Sequence, residues 1–267
     1  MARNGGAPAG RALVTGASGG IGEQLARVLA AHGHDLVLVA RSQEKLEALA
    51  TELAGRYGIR AHALALDLAD PVGPQRLDGM LRERALDIHV LVNNAGVGLH
   101  GAFAENDPQA QLELLQINVV SLTYLARLLL PPMLARRAGR ILNVASTAAF
   151  VPGPFMSVYY ASKAYVLSLS VALGNELAGT GVTVTALCPG PTHTGFAVVA
   201  GIARTKLFRS FGVMNPDEVA RAGYAGMQAG KDIVVPGLRN RLIAGSSGLA
   251  PRSLTARIAR VLQDPAD

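Results

Sequence analysis

The chain has 267 residues, half of them hydrophobic, with no tryptophan and a formal net charge of +6. That length suits one large α/β domain with a sizeable core, and the single cysteine, Cys188, excludes an intrachain disulfide and fits a reducing compartment. The six histidines are scattered without metal-ligand spacing, so no metal is expected, and the arginines form no run with interleaved aromatics, which argues against nucleic acid as a partner.

Residues 1–10 read as a flexible N-terminus without the apolar core of a signal peptide, so a cytoplasmic location is expected. Arg11 to Thr15 is a short apolar run that feeds a glycine-rich turn, and apolar residues recur with helical period from Ile21 to Ala31. Asp35 to Ala40 predicts a second buried strand, Gln43 to Tyr57 a helix, and Arg60 to Leu66 a third strand. Asp70 and Pro71 read as a helix cap and first turn. A fourth strand, Ile88 to Val92, ends in NNAG, and Asp107–Pro108 opens a helix running to about Leu130. The longest apolar stretch, Val119 to Leu134, is broken by Arg127 and Pro131–Pro132, so it reads as a buried helix and not a membrane span. Then come a strand at Arg140 to Ala145, a helix at Ser157 to Ala178, a strand at Val182 to Leu187, a helix at Pro216 to Gly230 and a strand at Asp232 to Val235. Strands alternating with helices predict a Rossmann-like, doubly wound parallel sheet of about seven strands. The main domain is expected at 11–237, with a substrate loop at 191–214 and an amphipathic tail at 238–267 that packs on the same domain.

TGASGGIG, Thr15 to Gly22, lies between the first strand and the first helix and includes Ser18, Gly19 and Ile21. Gly16, Gly20 and Gly22 allow a tight turn, close approach to a pyrophosphate and helix-on-strand packing, while the helix N-terminus offers free N–H groups. The spacing, Gly-x-x-x-Gly-x-Gly, departs from the common dinucleotide fingerprint. At the end of the second strand stand Ala40 and Arg41 in place of an acid. A guanidinium there grips a 2′-phosphate, so the expected cofactor is NADP(H).

Tyr159 and Lys163 are four apart and share one helix face, and Ser146 ends the strand before them. An ammonium beside a phenol favours phenolate, so the tyrosine pKa should fall from about 10 towards working pH. Such a tyrosine exchanges a proton with a carbonyl or alcohol oxygen. Tyr160, three residues before Lys163, competes for the role.

TGASGGIG, Asp67, NNAG, Asn118, Ser146, the Tyr159-x-x-x-Lys163 pair and PGPTHT (Pro189 to Thr194) occur in one order over Arg11 to about Val235. In this the chain resembles the short-chain dehydrogenase/reductase family. The resemblance implies Tyr159, not Tyr160, as the active tyrosine. It implies that Asp67 and Leu68 contact the adenine, Asn94 and Ala95 the cofactor ribose, and Lys163 the nicotinamide ribose. Ser146 would orient the substrate carbonyl, Asn118 would fix a water in a proton relay, and Pro189, Gly190, Thr192 and Thr194 would border the nicotinamide. Similarity to bacterial 3-oxoacyl reductases and 17β-hydroxysteroid-type enzymes implies a fairly apolar ketone or acyl substrate. Phe196, Val198, Val199, Ile202, Leu207, Phe208 and Phe211 would line its pocket, joined by Val97, Leu99, Phe150 and Phe155. The resemblance also implies a homodimer or homotetramer through the long helices. Two alternatives are a catalytically silent NADP(H)-binding regulator and a sugar-nucleotide epimerase or dehydratase.

Overall fold

In the computed structural model, the described residues are 9–203, 205–206, 212–246 and 250–263. Seven strands form one sheet: β1 (Arg11–Thr15), β2 (Asp35–Ala40), β3 (Ala61–Ala65), β4 (Val90–Asn93), β5 (Gly139–Val144), β6 (Val182–Leu187) and β7 (Ile233–Val234). Their order is β3-β2-β1-β4-β5-β6-β7 and every neighbouring pair is parallel. The chain reverses its direction of winding between β1 and β4, which opens a crevice at the carboxyl ends of these strands.

Alternating strand residues feed two cores. On one face Val14, Leu36, Leu38, Val92 and Leu142 meet α1 (Gly20–Ala31), α2 (Gln43–Tyr57) and the helix Pro216–Gln228 through Leu25, Leu29, Leu46, Leu53 and Val219. On the other face Leu13, Val37, Val39, Leu91 and Ile141 meet α3 (Gly73–Glu83) through Leu77 and Leu81, and α5 (Leu122–Ala135) through Leu125, Leu129 and Met133. With both faces covered, the strands are mostly apolar on both sides, as β1, β2 and β4 show.

The helix expected from Asp107 divides into α4 (Pro108–Leu115), a π-helical stretch at Gln116–Ser121, and α5. Asp107 caps it, its side chain accepting from the Gln109 amide. Pro108–Ala135 as a whole is long and apolar enough by length and composition to cross a membrane. Here its apolar stripe packs on the sheet. The cap expected at Asp70 is absent: its carboxylate accepts from the Val72 amide at 3.0 Å, in a turn before the helix, and α3 starts at Gly73 with Pro74 in its first turn. Asp70 is drawn instead to Arg76, at 2.9 Å.

A 3₁₀ turn covers Thr147–Phe150, and α6 spans Ser157–Glu176. A short α7 (Phe196–Val199) precedes α8 (Pro216–Gln228), and the tail folds as α9 (Leu238–Ser246) and α10 (Arg252–Gln263). Of the expected substrate segment, Leu207, Phe208 and Phe211 lie outside the described residues, as do residues 1–8 of the N-terminus.

Candidate active site

A cavity of about 770 Å³ occupies the crevice at the carboxyl ends of the strands. The glycine turn forms its floor. Gly16 and Gly20 hold φ of +66° and +59°, a backbone that L side chains rarely adopt. A Cβ on Gly22 would lie 2.3 Å from both the Asn94 amide nitrogen and the Gly16 carbonyl, so Gly22 serves packing behind the turn and does not line the cavity. A Cβ on Gly19 would meet nothing within 4 Å, which leaves open space in front of the α1 N-terminus. Gly19 makes no side-chain cap there, so the first N–H groups face that space without one. Ser18, Gly19, Gly20 and Ile21 all line it.

β4 clasps this turn. Thr15 Oγ1 accepts from the amides of Asn94 and Ala95, both at 3.0 Å, and Asn94 Nδ2 donates to the carbonyls of Thr15 and Gly16 at 2.9 and 3.2 Å. Asn94 and Ala95 thus line the cavity and fix its floor together. Asn93 points the other way, donating to Asn143 Oδ1 at 3.0 Å within the sheet.

Arg41 and Lys45 line the far end of the same cavity, four residues apart across the start of α2. Neither has a salt-bridge partner among the described residues. The four-residue spacing of Lys45 from Arg41 is the sequence signal that places both cations together. Asp67 and Leu68 stand apart from the cavity lining. Asp67 accepts from the Ala69 amide at 2.9 Å, and Leu68 is buried in the second core because its side chain is apolar and faces α3 and α5.

At the other end the Tyr159 phenol is buried beside Ser146, with which it shares a hydrogen bond. Ser146 lies two residues beyond β5, caps the 3₁₀ turn by accepting from the Ala148 amide at 3.1 Å, and lies 3.5 Å from the Pro189 carbonyl. Lys163 is buried too; its Nζ donates to the Val144 carbonyl at 2.9 Å and lies 5.8 Å from the centroid of the Tyr159 ring. The expected fall in the tyrosine pKa is not found. Burial drives the phenol above its ordinary value against the Ser146 hydrogen bond, and pushes Lys163 down to about 8. The ammonium gives the phenol no resolved relief, since the cation is held by the Val144 carbonyl and not by the phenol oxygen.

Tyr160 is disposed differently. Its hydroxyl accepts from Gln263 Nε2 at 2.7 Å, so it is tied to the tail. Asn118 lies in the π-helical stretch, behind the cavity. Its Oδ1 accepts from the Val97 amide, and its Nδ2 donates to the Val97 carbonyl and to Ser162 Oγ, each at 3.0 Å. Ser162 in turn donates to the Tyr159 carbonyl at 2.7 Å. The extra residue of a π turn aims Asn118 at the strand-end loop.

Pro189, Gly190, Thr192 and Thr194 line the cavity between the two ends. Thr194 supports the glycine turn, its Cγ2 lying 3.0 Å from where a Gly20 Cβ would stand. A Cβ on Gly190 would meet Asn240 of α9 at 2.5 Å, which seats the tail against the end of β6. Phe196, Val199, Ile202, Val97 and Phe150 line the substrate end, while Val198 is 75% exposed and Leu99 and Phe155 lie outside the lining. Phe155 instead carries Arg260 over its ring at 5.3 Å. The tail contributes Asn240, Ile258 and Gln263, residues whose place in the site was not read from the sequence. Among the described residues, no group of His, Cys, Asp and Glu could hold a metal ion.

Residues 11–202 match the family described as short chain dehydrogenase. The chain belongs to that family. It is 38% identical over 177 residues to a very-long-chain 3-oxoacyl-CoA reductase of Phaeosphaeria nodorum, covering 65% of this chain and 52% of that protein. The chain therefore spans about half the length of that relative. A ketoacyl reductase of Nostoc, HetN, is 36% identical over 211 residues, 79% of this chain and 72% of the relative. Among solved structures, a short-chain dehydrogenase from Sphingobium yanoikuyae in complex with NADPH is 36% identical, with a TM-score of 0.80 over 91% of this chain and 95% of that one. This member of the short-chain dehydrogenase family has a Rossmann-like parallel sheet with a crevice at its switch point.

Proposed function

We propose that the protein is an NADP(H)-dependent oxidoreductase that interconverts a carbonyl and a secondary alcohol on a fairly apolar substrate. The observation that carries this reading is one cavity with a phosphate-ready glycine turn and the cations Arg41 and Lys45, without a salt-bridge partner among the described residues, at one end, and the Ser146–Tyr159–Lys163 cluster at the other. The open space at Gly19, the α1 N-terminus, Arg41 and Lys45 fit the phosphates of NADP(H). The NADPH in the Sphingobium structure supports the choice of cofactor. The substrate end is walled by Phe196, Val199 and Ile202, in keeping with the oxoacyl and ketoacyl substrates in the relatives' names.

When bound, a reduced nicotinamide supplies hydride to the carbonyl carbon. The chain's residues handle the oxygen. The Ser146 and Tyr159 hydroxyls bind the developing oxyanion, and Tyr159 transfers its proton to it. Lys163 stabilises the phenolate left behind, and its remaining N–H groups are free for a ribose hydroxyl. Asn118 has one carbonyl lone pair left after its contact with Val97, and Gly96 leaves room beside it: a Cβ there would come within 3.2 Å of Asn118 Oδ1 and 3.3 Å of Lys163 Nζ. A proton relay from Tyr159 through Lys163 to a water held by Asn118 would pass through this gap. Asp67 and Leu68, which follow β3 just outside the lining, are assigned to the adenine by the family resemblance and not by a contact with the cavity.

We further assign the protein to a reducing cytoplasm, and to a homodimer or homotetramer. The buried Cys188 and the exposed Leu112, Val120, Tyr165 and Val171 on α4, the π stretch and α6 support these assignments. Light scattering at micromolar concentration tests the assembly; a monomer would refute it. For the activity, NADPH oxidation with a ketone panel is measured for the wild type and for Tyr159→Phe. Turnover should drop by roughly 10²–10⁴-fold in the variant while NADPH still quenches or shifts its fluorescence on binding. Cofactor binding with no turnover of any ketone in the wild type would favour a silent cofactor-binding protein.

A further inference from the structure

The cavity wall opposite the glycine turn is built by α10. Thr255, Ile258, Ala259, Leu262 and Gln263 all face the cavity, at helical spacing along one stripe. Three contacts fasten the end of this helix. Gln263 Nε2 donates to the Tyr160 hydroxyl, His100 Nε2 lies 3.0 Å from the Gln263 carbonyl, and Arg260 sits over Phe155. Gln263 is 1% exposed, and its Oε1 has no hydrogen-bond partner among the described residues. Buried acceptors are rarely left in this state. A glutamine needed only as a latch would be satisfied at both ends or replaced by an apolar side chain of the same shape.

We propose that Gln263 is a substrate-binding and specificity-determining residue, whose free Oε1 accepts a hydrogen bond from a donor on the substrate, remote from the reacting carbonyl. The Tyr160 hydroxyl accepts from Gln263, so its own proton remains to be donated. Together the two residues hold one acceptor and one donor just behind a wall otherwise formed by Met156, Phe196, Val199, Ile258 and Leu262, where a substrate group that displaces this wall meets them. That pairing suits a group which both donates and accepts, namely a hydroxyl or a secondary amide. The substrate is then an apolar ketone carrying such a group, and not a plain hydrocarbon ketone. The inference rests on the carbonyl-reductase reading and deepens it.

The test uses the full-length enzyme with NADPH and straight-chain methyl ketones in a chain-length series. Their far end carries a hydroxyl, a secondary amide, or a methyl ester that accepts but does not donate. At one chain length the wild type should prefer the hydroxyl or the amide over the ester by roughly tenfold or more in kcat/KM. The hydroxyl and amide arms tell the two sources of the donor apart. Gln263→Leu should collapse that ratio, and Gln263→Glu, which keeps an acceptor, should retain it. A merely structural Gln263 would move stability and all three ketones alike, and leave the ratio in place. If Gln263→Leu is poorly folded, Tyr160→Phe, which removes the anchor of the amide, should also lower the ratio. Turnover of all three ketones without a preference at any length overturns this inference alone. Failure to turn over any of them overturns the reductase reading and this inference with it.

Discussion

Lys163 Nζ donates to the Val144 carbonyl at 2.9 Å, so the strand end, not the phenol, fixes the ammonium. The lysine is fully enclosed, and burial lowers its pKa to about 8. Its folded pKa thus lies below its unfolded value of 10.5. Between these two values the unfolded chain binds the extra proton, so stability rises with pH across this window. Below pH 8 the native state carries a buried cation at a cost on the order of 3 kcal/mol. Lys163→Met should remove this dependence. Urea unfolding of both proteins at pH 7 and at pH 9.5 should show the wild type gaining stability on the variant at the higher pH; parallel behaviour would refute the lowered pKa.

The raised Tyr159 pKa sets a direction for catalysis. At neutral pH the phenol keeps its proton and is ready to serve as the acid for carbonyl reduction. Alcohol oxidation needs the phenolate, so its kcat/KM should rise with pH above 8, while reduction should be flat or fall. Initial rates in the two directions from pH 6 to 10 check this. A fall in oxidation over that range would contradict the assignment of Tyr159 as the base.

The two ends of the cavity differ in how much of them was legible. The glycine turn, Arg41, Ser146 and the Tyr159/Lys163 pair are local patterns, set by a few residues around a strand end or along one helix turn, and sequence spacing shows them. The π turn that aims Asn118 is invisible to periodicity, since one extra residue in a long apolar helix leaves the pattern nearly unchanged. Asp70 has the chemistry of a cap, but Arg76 and the Val72 amide compete for it. The direction of the tyrosine shift was misjudged because spacing reveals the nearby charge and not the depth of burial. The tail showed as an amphipathic helix, yet its contact with Tyr160 joins residues 103 apart in sequence, and no local signal carries that.

Arg41 and Lys45 are exposed, have no salt-bridge partner among the described residues, and stand four residues apart. Replacing either with alanine should weaken NADPH binding by roughly 10–100-fold, in line with the loss of one charge-assisted hydrogen bond. NADH binding should change little, since it lacks the phosphate. Fluorescence titration of both cofactors measures the split. Equal losses for NADPH and NADH would show that these cations serve the fold or the pyrophosphate, not the 2′-phosphate.

Asn118 satisfies both backbone groups of Val97 and one hydroxyl, and is 1% exposed. Asn118→Leu strands these partners in a buried place and should cost about 2–5 kcal/mol of stability, since several hydrogen bonds are lost together. Asn118→Asp keeps the acceptor but loses the donors, and should fall between the two. Chemical denaturation gives the order; a leucine variant as stable as wild type would mean that the loop rearranges at no cost.

Gly22 and Gly19 separate folding from binding within one turn. At Gly22 an added methyl meets the Gly16 carbonyl and the Asn94 amide at 2.3 Å, and both are locked by the clasp to β4. The Gly16 carbonyl is backbone and Asn94 Nδ2 is held by two hydrogen bonds, so Gly22→Ala should lower stability by several kcal/mol or prevent soluble expression. At Gly19 the backbone is extended, φ 172°, and an added methyl meets nothing. Gly19→Ala should therefore keep its unfolding midpoint while its methyl intrudes on the space in front of the α1 N-terminus, weakening cofactor binding by tenfold or more. Thermal unfolding and NADPH titration of the two variants read the contrast directly. A Gly19→Ala protein that binds NADPH as tightly as wild type would mean that the phosphates pass elsewhere, and the cofactor end of the proposed site would have to be redrawn.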